Sequence, residues 1–437
     1  AIPAIFRAKQ VVVAGDARQL RPDDLFARRL DEPVDDDVEA EMAPAAEVES
    51  LLDLAVVNFG GVNLNYHYRS RYAELIDFSN YAFYKAQLQV SPNNHTPKVP
   101  PIERIKVTGK WSLARNNLVE AKKVVEIIDQ LLRTRQERET IGVVTFNHTQ
   151  KDLIQDLLDH QAINDPSFAA MYAEEQNRQE GNQDVGLFVK NIENVQGDER
   201  DIIIFSVGYG PDQHNRVRAN FGSLNREGGG NRLNVAVSRA KKKIYLVTSI
   251  EPEDLRVEDG KSEGPKLLKA YLEYTRAVSA GDSEVTSAVL SSLLDTGVTV
   301  ADEARYDSMF EEQVAEALRG LGYDVRSQIG VSGYRIDLGV YDEPSSAFIL
   351  GIECDGATYH SSKSARERDI HRQTYLESRG WTIARVWSTD WWKDQKNEIQ
   401  RLVSRIEQEQ KRKGRTLEQL ESVGFHSFGP STNQCST

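Results

Sequence analysis

The stretch RIDLGVYDEPSSAFILGIECDGATYH, residues 335–360, predicts two short strands joined by a turn. Side chains in a strand change face at every residue, so Glu353 and Asp355 share one face, about 7 Å apart. If the two strands pair in a suitable register, Asp337 joins them and three carboxylates converge. Because close like charges repel, and because oxygen ligands suit hard divalent ions, this cluster predicts a Mg²⁺ site. A solvated sheet face that carries three acids by chance is the alternative.

This stretch resembles the PD-(D/E)xK nuclease fold, in particular the branch close to very-short-patch-repair (Vsr-like) endonucleases. The family pattern is an acid on a first helix, an Asp on one strand and Glu-x-Lys on the next. Glu311, Asp337 and Glu353 match it, whereas Asp355 stands where the pattern has lysine. The resemblance implies catalysis by these four acids, with Mg²⁺ or Mn²⁺ held by Asp337, Glu353 and Asp355. His360 is the candidate substitute for the lysine.

The first 250 residues show a different pattern, in which apolar strands alternate with amphipathic helices. Residues 141–146 read IGVVTF and predict a buried strand, and residues 117–135 predict a helix with one apolar face. Residues 10–15, QVVVAG, predict a further buried strand, and residues 161–184 are interpreted as irregular. The alternation predicts an α/β domain with a mostly parallel sheet.

Four short motifs are spaced along this α/β region. They are GDARQLRP at Gly15–Pro22, YRS at Tyr68–Ser70, QGDE at Gln196–Glu199 and RLNVAVSRA at Arg232–Ala240. In order and spacing they resemble motifs III, IV, V and VI of superfamily 1 helicases of the Upf-like and DNA2-like type. The resemblance implies a RecA-like P-loop helicase domain that binds ATP with Mg²⁺.

The helicase resemblance also implies roles for individual residues. By it, Gln19 senses the γ-phosphate, while Gly197 and Glu199 of motif V contribute to the nucleotide site, Glu199 on the ribose side. Arg69 and Arg239 act as arginine fingers, because phosphoryl transfer spreads negative charge that positioned guanidinium groups stabilise.

Two parts of a complete nucleotide site do not occur in these 437 residues. The sequence has no GxxxxGK[ST] loop, and no Walker B acid pair precedes Gly15 in the required context. We therefore expect the phosphate loop and the Mg²⁺ acid to lie upstream in a longer protein. The 437 residues alone are expected not to hydrolyse ATP.

The resemblances and the composition together divide the chain into six parts. These are a remnant of a first RecA-like domain (1–30), an acidic insertion (31–50), a second RecA-like domain (51–250), a linker with a helix (251–304), a Vsr-like endonuclease domain (305–413) and a tail (414–437). Nine acids and no Lys or Arg occur in residues 31–49, and they account for most of the net charge of −13. Local basic patches can therefore still bind nucleic-acid phosphates.

One such patch is the helix predicted after residue 360. Its cations are Lys363, Arg366, Arg368, Arg372 and Arg379. They can grip a DNA backbone, although a solvated helix face is the alternative.

The sequence thus predicts part of an ATP-dependent superfamily 1 DNA helicase with a metal-dependent endonuclease domain. Single- or double-stranded DNA is the expected partner, in anti-phage defence or DNA repair. An RNA-directed helicase with an inactive nuclease-fold binding module is the alternative, because the lysine is replaced. The sequence contains no run of eighteen apolar residues, so no membrane span is predicted. Its two cysteines form no disulfide or zinc pattern, which indicates the cytoplasm. The oligomeric state is not indicated.

Overall fold

The chain forms two units in a computed structural model. The first unit contains residues 1–88 and 99–295, and the second contains residues 89–98 and 296–437. The structure describes residues 2–20, 50–95, 97, 99–135, 137–217, 220–226, 228–258, 260, 262–294, 308–330, 335–355 and 363–422. The predicted acidic insertion, apart from Ser50, and most of the predicted tail lie outside these ranges.

The first unit combines helices with a five-stranded sheet and a small hairpin. Its helices are α1 (Ile2–Arg7), α2 (Leu51–Asn58), α3 (Glu74–Tyr84), α4 (Leu118–Thr134), α5 (His148–Asn164), α6 (Pro166–Gln176), α7 (Gly229–Val237), α8 (Glu263–Ala280) and α9 (Ser283–Leu293). Its strands are β1 (Ile102–Lys106), β2 (Ile141–Thr145), β3 (Gln179–Glu180), β4 (Gln183–Asp184), β5 (Phe188–Asn191), β6 (Arg200–Ser206) and β7 (Ala240–Thr248).

Five of these strands form one parallel sheet in the order β1-β7-β6-β2-β5. Every residue of β2 is buried, as expected for a parallel strand covered on both faces. Apolar residues of α3, α7 and α8 pack on one face of the sheet, and those of α4, α5 and α6 pack on the other. The predicted α/β domain with a parallel sheet is therefore confirmed.

Residues 161–184, interpreted as irregular, instead contain the end of α5, the whole of α6 and the β3–β4 hairpin. Asp165 caps α6 by accepting hydrogen bonds from the backbone N–H groups of Ser167 and Phe168, and Pro166 occupies the first turn. An Asp cap followed by proline is a standard helix start, and the interpretation as irregular overlooked it.

Two further expectations differ from the structure. Residues 10–15 form no strand and pair with none of the described strands, and Val12 is 93% exposed. Within the expected linker, α8 buries Leu268, Tyr271 and Tyr274 in the core of the first unit. The apolar stripe of this helix thus makes it part of the domain. No helix in the described ranges is long and apolar enough to cross a membrane.

The second unit is a smaller mixed α/β fold. Its elements are α10 (Ser308–Arg319), β8 (Asp324–Ile329), β9 (Ile336–Asp342), β10 (Ala347–Asp355), α11 (Lys363–Ser378), β11 (Ile383–Trp387), α12 (Ser388–Lys393) and α13 (Gln395–Ser422). The strand order is β11-β10-β9-β8, with β10 and β11 parallel and the other pairs antiparallel. Apolar residues of α10 and α13 cover one face, and Leu376 and Trp381 lie in a second cluster.

Residues 89–98 also belong to the second unit, although they precede β1 in the chain. The carbonyl of Asn94 accepts a hydrogen bond from the Phe348 N–H at 2.9 Å, and His95 forms a bridge with Ala347. The indole Nε1–H of Trp381 donates to the Pro92 carbonyl at 2.9 Å. The second unit is therefore built from two separate stretches of sequence.

Candidate functional site

Two arginines that are 170 positions apart meet where β6 and β7 begin. Arg69 Nε donates to Glu199 Oε2 at 2.6 Å, and Glu199 immediately precedes β6. Arg69 Nη1 donates to the Ser238 carbonyl at 3.4 Å, next to Arg239, which immediately precedes β7. The structure thus brings together Arg69, Glu199 and Arg239 of the predicted nucleotide site.

Arg239 is only 4% exposed. Its guanidinium donates to the backbone carbonyls of Val235 at 2.7 Å and Asp198 at 3.4 Å, and it forms no ion pair within the described residues. Burial, followed by the nearby charge of Arg69, lowers the pKa of Arg239 to about 10. Because a buried cation without a carboxylate partner is costly, this position suits an anion.

Glu199 is shared between two cations. Besides Arg69 it contacts Lys241 Nζ at 2.8 Å. Burial alone would raise the pKa of Glu199, but hydrogen bonds from Lys241 and Arg69 bring it below its ordinary value. Gly197, two residues earlier, has φ of +88°, a left-handed conformation that glycine adopts without strain.

The loop that contains Gln19 is held against α3 and α7. Gln19 Nε2 donates to Asp16 Oδ2 at 2.9 Å, and the Tyr84 hydroxyl donates to the same oxygen at 2.7 Å. Asn234 Nδ2 donates to the Arg18 carbonyl at 2.8 Å and to the Tyr84 hydroxyl at 3.0 Å. No hydrogen bond within the described residues joins Gln19 to Arg69, and the role of Gln19 at the γ-phosphate stays a prediction.

A buried carboxylate that the sequence analysis did not identify lies where β6 and β7 end. Glu120 accepts hydrogen bonds from the N–H groups of Gly208 at 2.6 Å and Ser249 at 2.7 Å. Side chains of Asn117 and Ser206 donate to it as well. Burial raises the pKa of Glu120 to about 7, although these hydrogen bonds oppose the rise. Its spacing of three residues from the helix-capping Asn117 was the available signal.

In the second unit, β9 and β10 pair so that the predicted acids converge. Ile352 lies opposite Leu338, and the same register places Glu353 beside Asp337. Asp337 Oδ2 accepts the N–H of Cys354 at 2.8 Å. Burial first, and then the charges of four carboxylates, raise the pKa of the Cys354 thiol. These carboxylates belong to Asp337, Glu311, Asp355 and Glu353.

Each of the two acids on β10 has an arginine partner. Arg372 on α11 forms an ion pair with Glu353 through Nη1 and donates to the Arg335 carbonyl through Nη2. Arg385 on β11 lies opposite Glu353 in the parallel register, and its Nε is 3.1 Å from Asp355 Oδ2. The sequence analysis placed Arg372 in a DNA-facing patch and did not single out Arg385. The parallel return of β11 beside β10 brings Arg385 to the acids.

Two further residues, Glu311 and His360, were predicted for this site. Glu311 Oε2 accepts a hydrogen bond from Gln328 Nε2 at 2.6 Å, so Glu311 contacts β8 from its helix. His360 lies outside the described residues. Among nearby aromatic side chains, Trp391 is 1% exposed and packs in the core, whereas Trp392 is 67% exposed.

A divalent metal can be tested against this donor set. Within the described ranges, no three His, Cys, Asp or Glu side chains are grouped closely enough to hold a metal ion. Glu353 Oε1, however, is buried and has no hydrogen-bond partner among them, and Asp337 lies beside it. Carboxylate oxygens are the ligands that Mg²⁺ and Mn²⁺ take. These carboxylate oxygens are therefore suitable ligands for such an ion, provided that the ion pair between Arg372 and Glu353 opens.

Comparison with known proteins agrees with the two folds. Residues 49–251 match an AAA domain family. Residues 310–406 match a protein-family model described as REase_MTES_1575, a restriction-endonuclease-like domain. The chain therefore has a RecA-like AAA domain followed by a smaller restriction-endonuclease-like domain, which confirms the predicted fold class.

Two curated relatives contain regions similar to nearly the whole chain. The Uncharacterized ATP-dependent helicase MG140 homolog of Mycoplasma pneumoniae is 33% identical over 398 residues, which cover 90% of this chain and 34% of the relative. The Uncharacterized ATP-dependent helicase MG140 of Mycoplasma genitalium is 33% identical over 396 residues, with the same coverage. The chain thus spans about a third of the length of these relatives.

A solved structure also shows similarity to part of this chain. It is the crystal structure of the C-terminal domain of a possible DNA helicase from Lactobacillus plantarum WCFS1. It is 21% identical, covers 44% of this chain and 94% of its own chain, and has a TM-score of 0.24. This score is too low for a comparison of the two folds.

Proposed function

We propose that this chain is part of an ATP-dependent superfamily 1 helicase that acts on DNA and carries a metal-dependent endonuclease domain. The observation that carries the motor assignment is the pair Arg69 and Arg239, of which Arg239 is buried with no carboxylate partner among the residues that the structure describes. A nucleoside triphosphate supplies the anion that such a site requires. The AAA domain match and the names of the helicase relatives support the same assignment.

In this proposal the two arginines stabilise charge during phosphoryl transfer. Arg239 is fixed by two backbone carbonyls, so little reorganisation is needed when charge develops on the phosphate oxygens. Glu199, which also pairs with Lys241, holds Arg69 in position, and Gly197 allows the turn that brings Glu199 there. Gln19 reaches the γ-phosphate only if its hydrogen bond with Asp16 opens. ATP with Mg²⁺ supplies the transferred phosphoryl group.

The motor assignment is tested with protein that also contains a phosphate-binding loop. DNA should stimulate its ATP hydrolysis, and ATP should drive strand separation of a partial duplex. An ATPase rate that neither DNA nor RNA changes would contradict a nucleic-acid motor.

The second unit is proposed to cleave DNA in the manner of a Vsr-like endonuclease. Asp337, Glu353 and Asp355 would hold Mg²⁺ or Mn²⁺, which activates water and polarises a phosphate. Asp337 is oriented by the Cys354 N–H, and Glu311 contributes negative charge from its helix. His360 is proposed to assist proton transfer in place of the missing lysine. A motor joined to a nuclease suits anti-phage defence or DNA repair, which is the setting we propose.

Cleavage is tested with the 437-residue chain, plasmid DNA and single-stranded DNA, with Mg²⁺ or Mn²⁺ and with EDTA as the control. We expect metal-dependent strand breaks. The intact chain is needed because residues 89–98 contribute to the second unit.

One observation favours a second candidate function. Arg372 and Arg385 neutralise both acids of β10, as in an inert nucleic-acid-binding module attached to an RNA-directed helicase. In that case the chain binds RNA as well as DNA, and neither metal produces cleavage of either. Metal-dependent cleavage that Asp337→Asn abolishes would exclude this candidate.

A further inference from the structure

Arg372 forms an ion pair with Glu353, one of the proposed metal ligands. Its Nη1 pairs with Glu353 Oε2, and its Nη2 donates to the Arg335 carbonyl. Its Nε is buried and makes no hydrogen bond within the described residues, while the side chain as a whole is 25% exposed. The guanidinium of Arg372 thus pairs with one of the two oxygens of Glu353, and its Nε–H remains available as a hydrogen-bond donor.

Glu353 has the complementary arrangement. It is 4% exposed, its Oε2 is paired with Arg372, and its Oε1 has no hydrogen-bond partner in the described chain. Burial raises the pKa of this carboxyl, whereas the Arg372 charge lowers it and Asp337 raises it again. Loss of Arg372 alone would leave Glu353 as a buried charge beside Asp337, which is unfavourable unless another cation replaces the arginine.

We propose that Arg372 is a positioning residue that exchanges between Glu353 and a nucleic-acid phosphate, and so couples metal binding to DNA binding. Without DNA, Arg372 holds Glu353 and competes with a divalent cation for it. A phosphate offers the guanidinium a bidentate partner, and when Arg372 turns to it, Glu353 becomes available to the cation. This inference rests on the proposed nuclease function, and it predicts that the divalent cation binds more tightly when DNA is bound.

Coupling of this kind is reciprocal and has a measurable size. If DNA tightens metal binding, the metal must tighten DNA binding by the same factor, typically about 5- to 150-fold for such couplings. A merely structural Arg372 would change stability but not this factor.

The experiment measures Mn²⁺ binding to the 437-residue chain by calorimetry, with and without a short duplex that contains phosphorothioate linkages to slow cleavage. In wild-type protein we expect the duplex to tighten Mn²⁺ binding by about tenfold, within the usual range. In Arg372→Gln, Mn²⁺ should already bind about tenfold more tightly without DNA, and the duplex should add less than about threefold. Arg372→Lys should show intermediate coupling, because its charge is kept but the planar fork is lost.

Arg326→Gln is the charge-matched control. Arg326 packs over the Tyr341 ring at 3.6 Å and pairs with Asp324. Arg326→Gln should therefore keep the wild-type coupling between Mn²⁺ binding and DNA binding. Arg372→Lys retains a cation for Glu353 and serves if Arg372→Gln does not fold.

The outcomes separate this inference from the proposed function. Metal-dependent cleavage by wild-type protein, together with equal Mn²⁺ affinity and coupling in wild type, Arg372→Gln and Arg372→Lys, would overturn the exchange and leave the nuclease intact. Absence of both Mn²⁺ binding and cleavage in wild-type protein, with or without DNA, would overturn both. Weaker Mn²⁺ binding in Arg372→Gln than in wild type would also contradict the competition.

Discussion

The two units use arginine in opposite ways. In the first unit, Arg239 is buried with no carboxylate partner in the described part of the chain, and it lies near a second arginine, Arg69. In the second unit, Glu353 and Asp355 each pair with an arginine of their own. An excess of buried positive charge is ready for an anion, whereas a neutralised set of acids must exchange partners before it binds a cation. The difference predicts strong effects of charge removal in both units, with different consequences for ligand binding.

The largest effect is expected for Arg239. In protein with a complete ATPase site, Arg239→Ala should slow ATP turnover by about 10³-fold or more, because an arginine finger stabilises the transition state by that amount. Arg69→Ala should act in the same direction. Steady-state ATPase assays test this, with Arg276→Ala as the control, since Arg276 pairs with Glu253 on the surface. Turnover close to wild type in Arg239→Ala would show that this arginine is structural.

In the second unit, Asp337→Asn should abolish metal-dependent cleavage. A metal ion supplies several kcal/mol of transition-state stabilisation, so loss of its ligand should reduce the rate on the order of 10³-fold. DNA binding should survive or strengthen, because a negative charge near the phosphates is removed. Gel shifts and cleavage assays on the same preparations measure both. If Asp337→Asn cuts at the wild-type rate, the catalytic centre lies elsewhere in the second unit.

The strand positions of the acids could be predicted from local sequence, but the ion pairs and the burial of the arginines could not. Strand alternation indicated that Glu353 and Asp355 share a face, and the paired strands bring Asp337 to them. The ion pair of Arg372 depends instead on how α11 packs, which no periodicity specifies. Likewise, the sequence spacing of Arg69 and Arg239 carries no information on burial. The loop interpretation of residues 161–184 was wrong for a local reason, the overlooked cap at Asp165.

A pH dependence distinguishes buried Glu120, which has neutral donors, from Glu353, which has an arginine. The pKa of Glu120 is about 7 in the folded chain and 4.5 in the absence of the fold. The folded state therefore binds the proton more tightly, and stability from this group is present at low pH and lost as pH rises to about 7. The loss should be on the order of 3 kcal/mol. Chemical denaturation of the first unit from pH 5 to 8 measures it.

The variant for this test is Glu120→Gln, which cannot titrate. Relative to it, wild-type protein should lose stability between about pH 5 and pH 7 and change little above that. Glu126→Gln, at an exposed position paired with Lys123, is the control and should reproduce the wild-type profile. Parallel profiles for wild type and Glu120→Gln would mean that Glu120 stays ionised across this range.

The smallest effect is expected for a neutral change in the second unit. Trp381 is 3% exposed, stacks on Phe348 with ring centroids 5.2 Å apart, and donates its indole N–H to the Pro92 carbonyl. Trp381→Phe keeps an aromatic ring but removes the hydrogen bond and some buried area, so it should destabilise the second unit by about 1–2 kcal/mol. Because no charge changes, the exchange between Arg372 and a cation should persist, and Mn²⁺ affinity per folded molecule should equal that of wild type. Thermal unfolding and calorimetry measure the two quantities separately. A change in Mn²⁺ affinity as large as that of Arg372→Gln would show that packing, rather than charge pairing, controls the acids of β10.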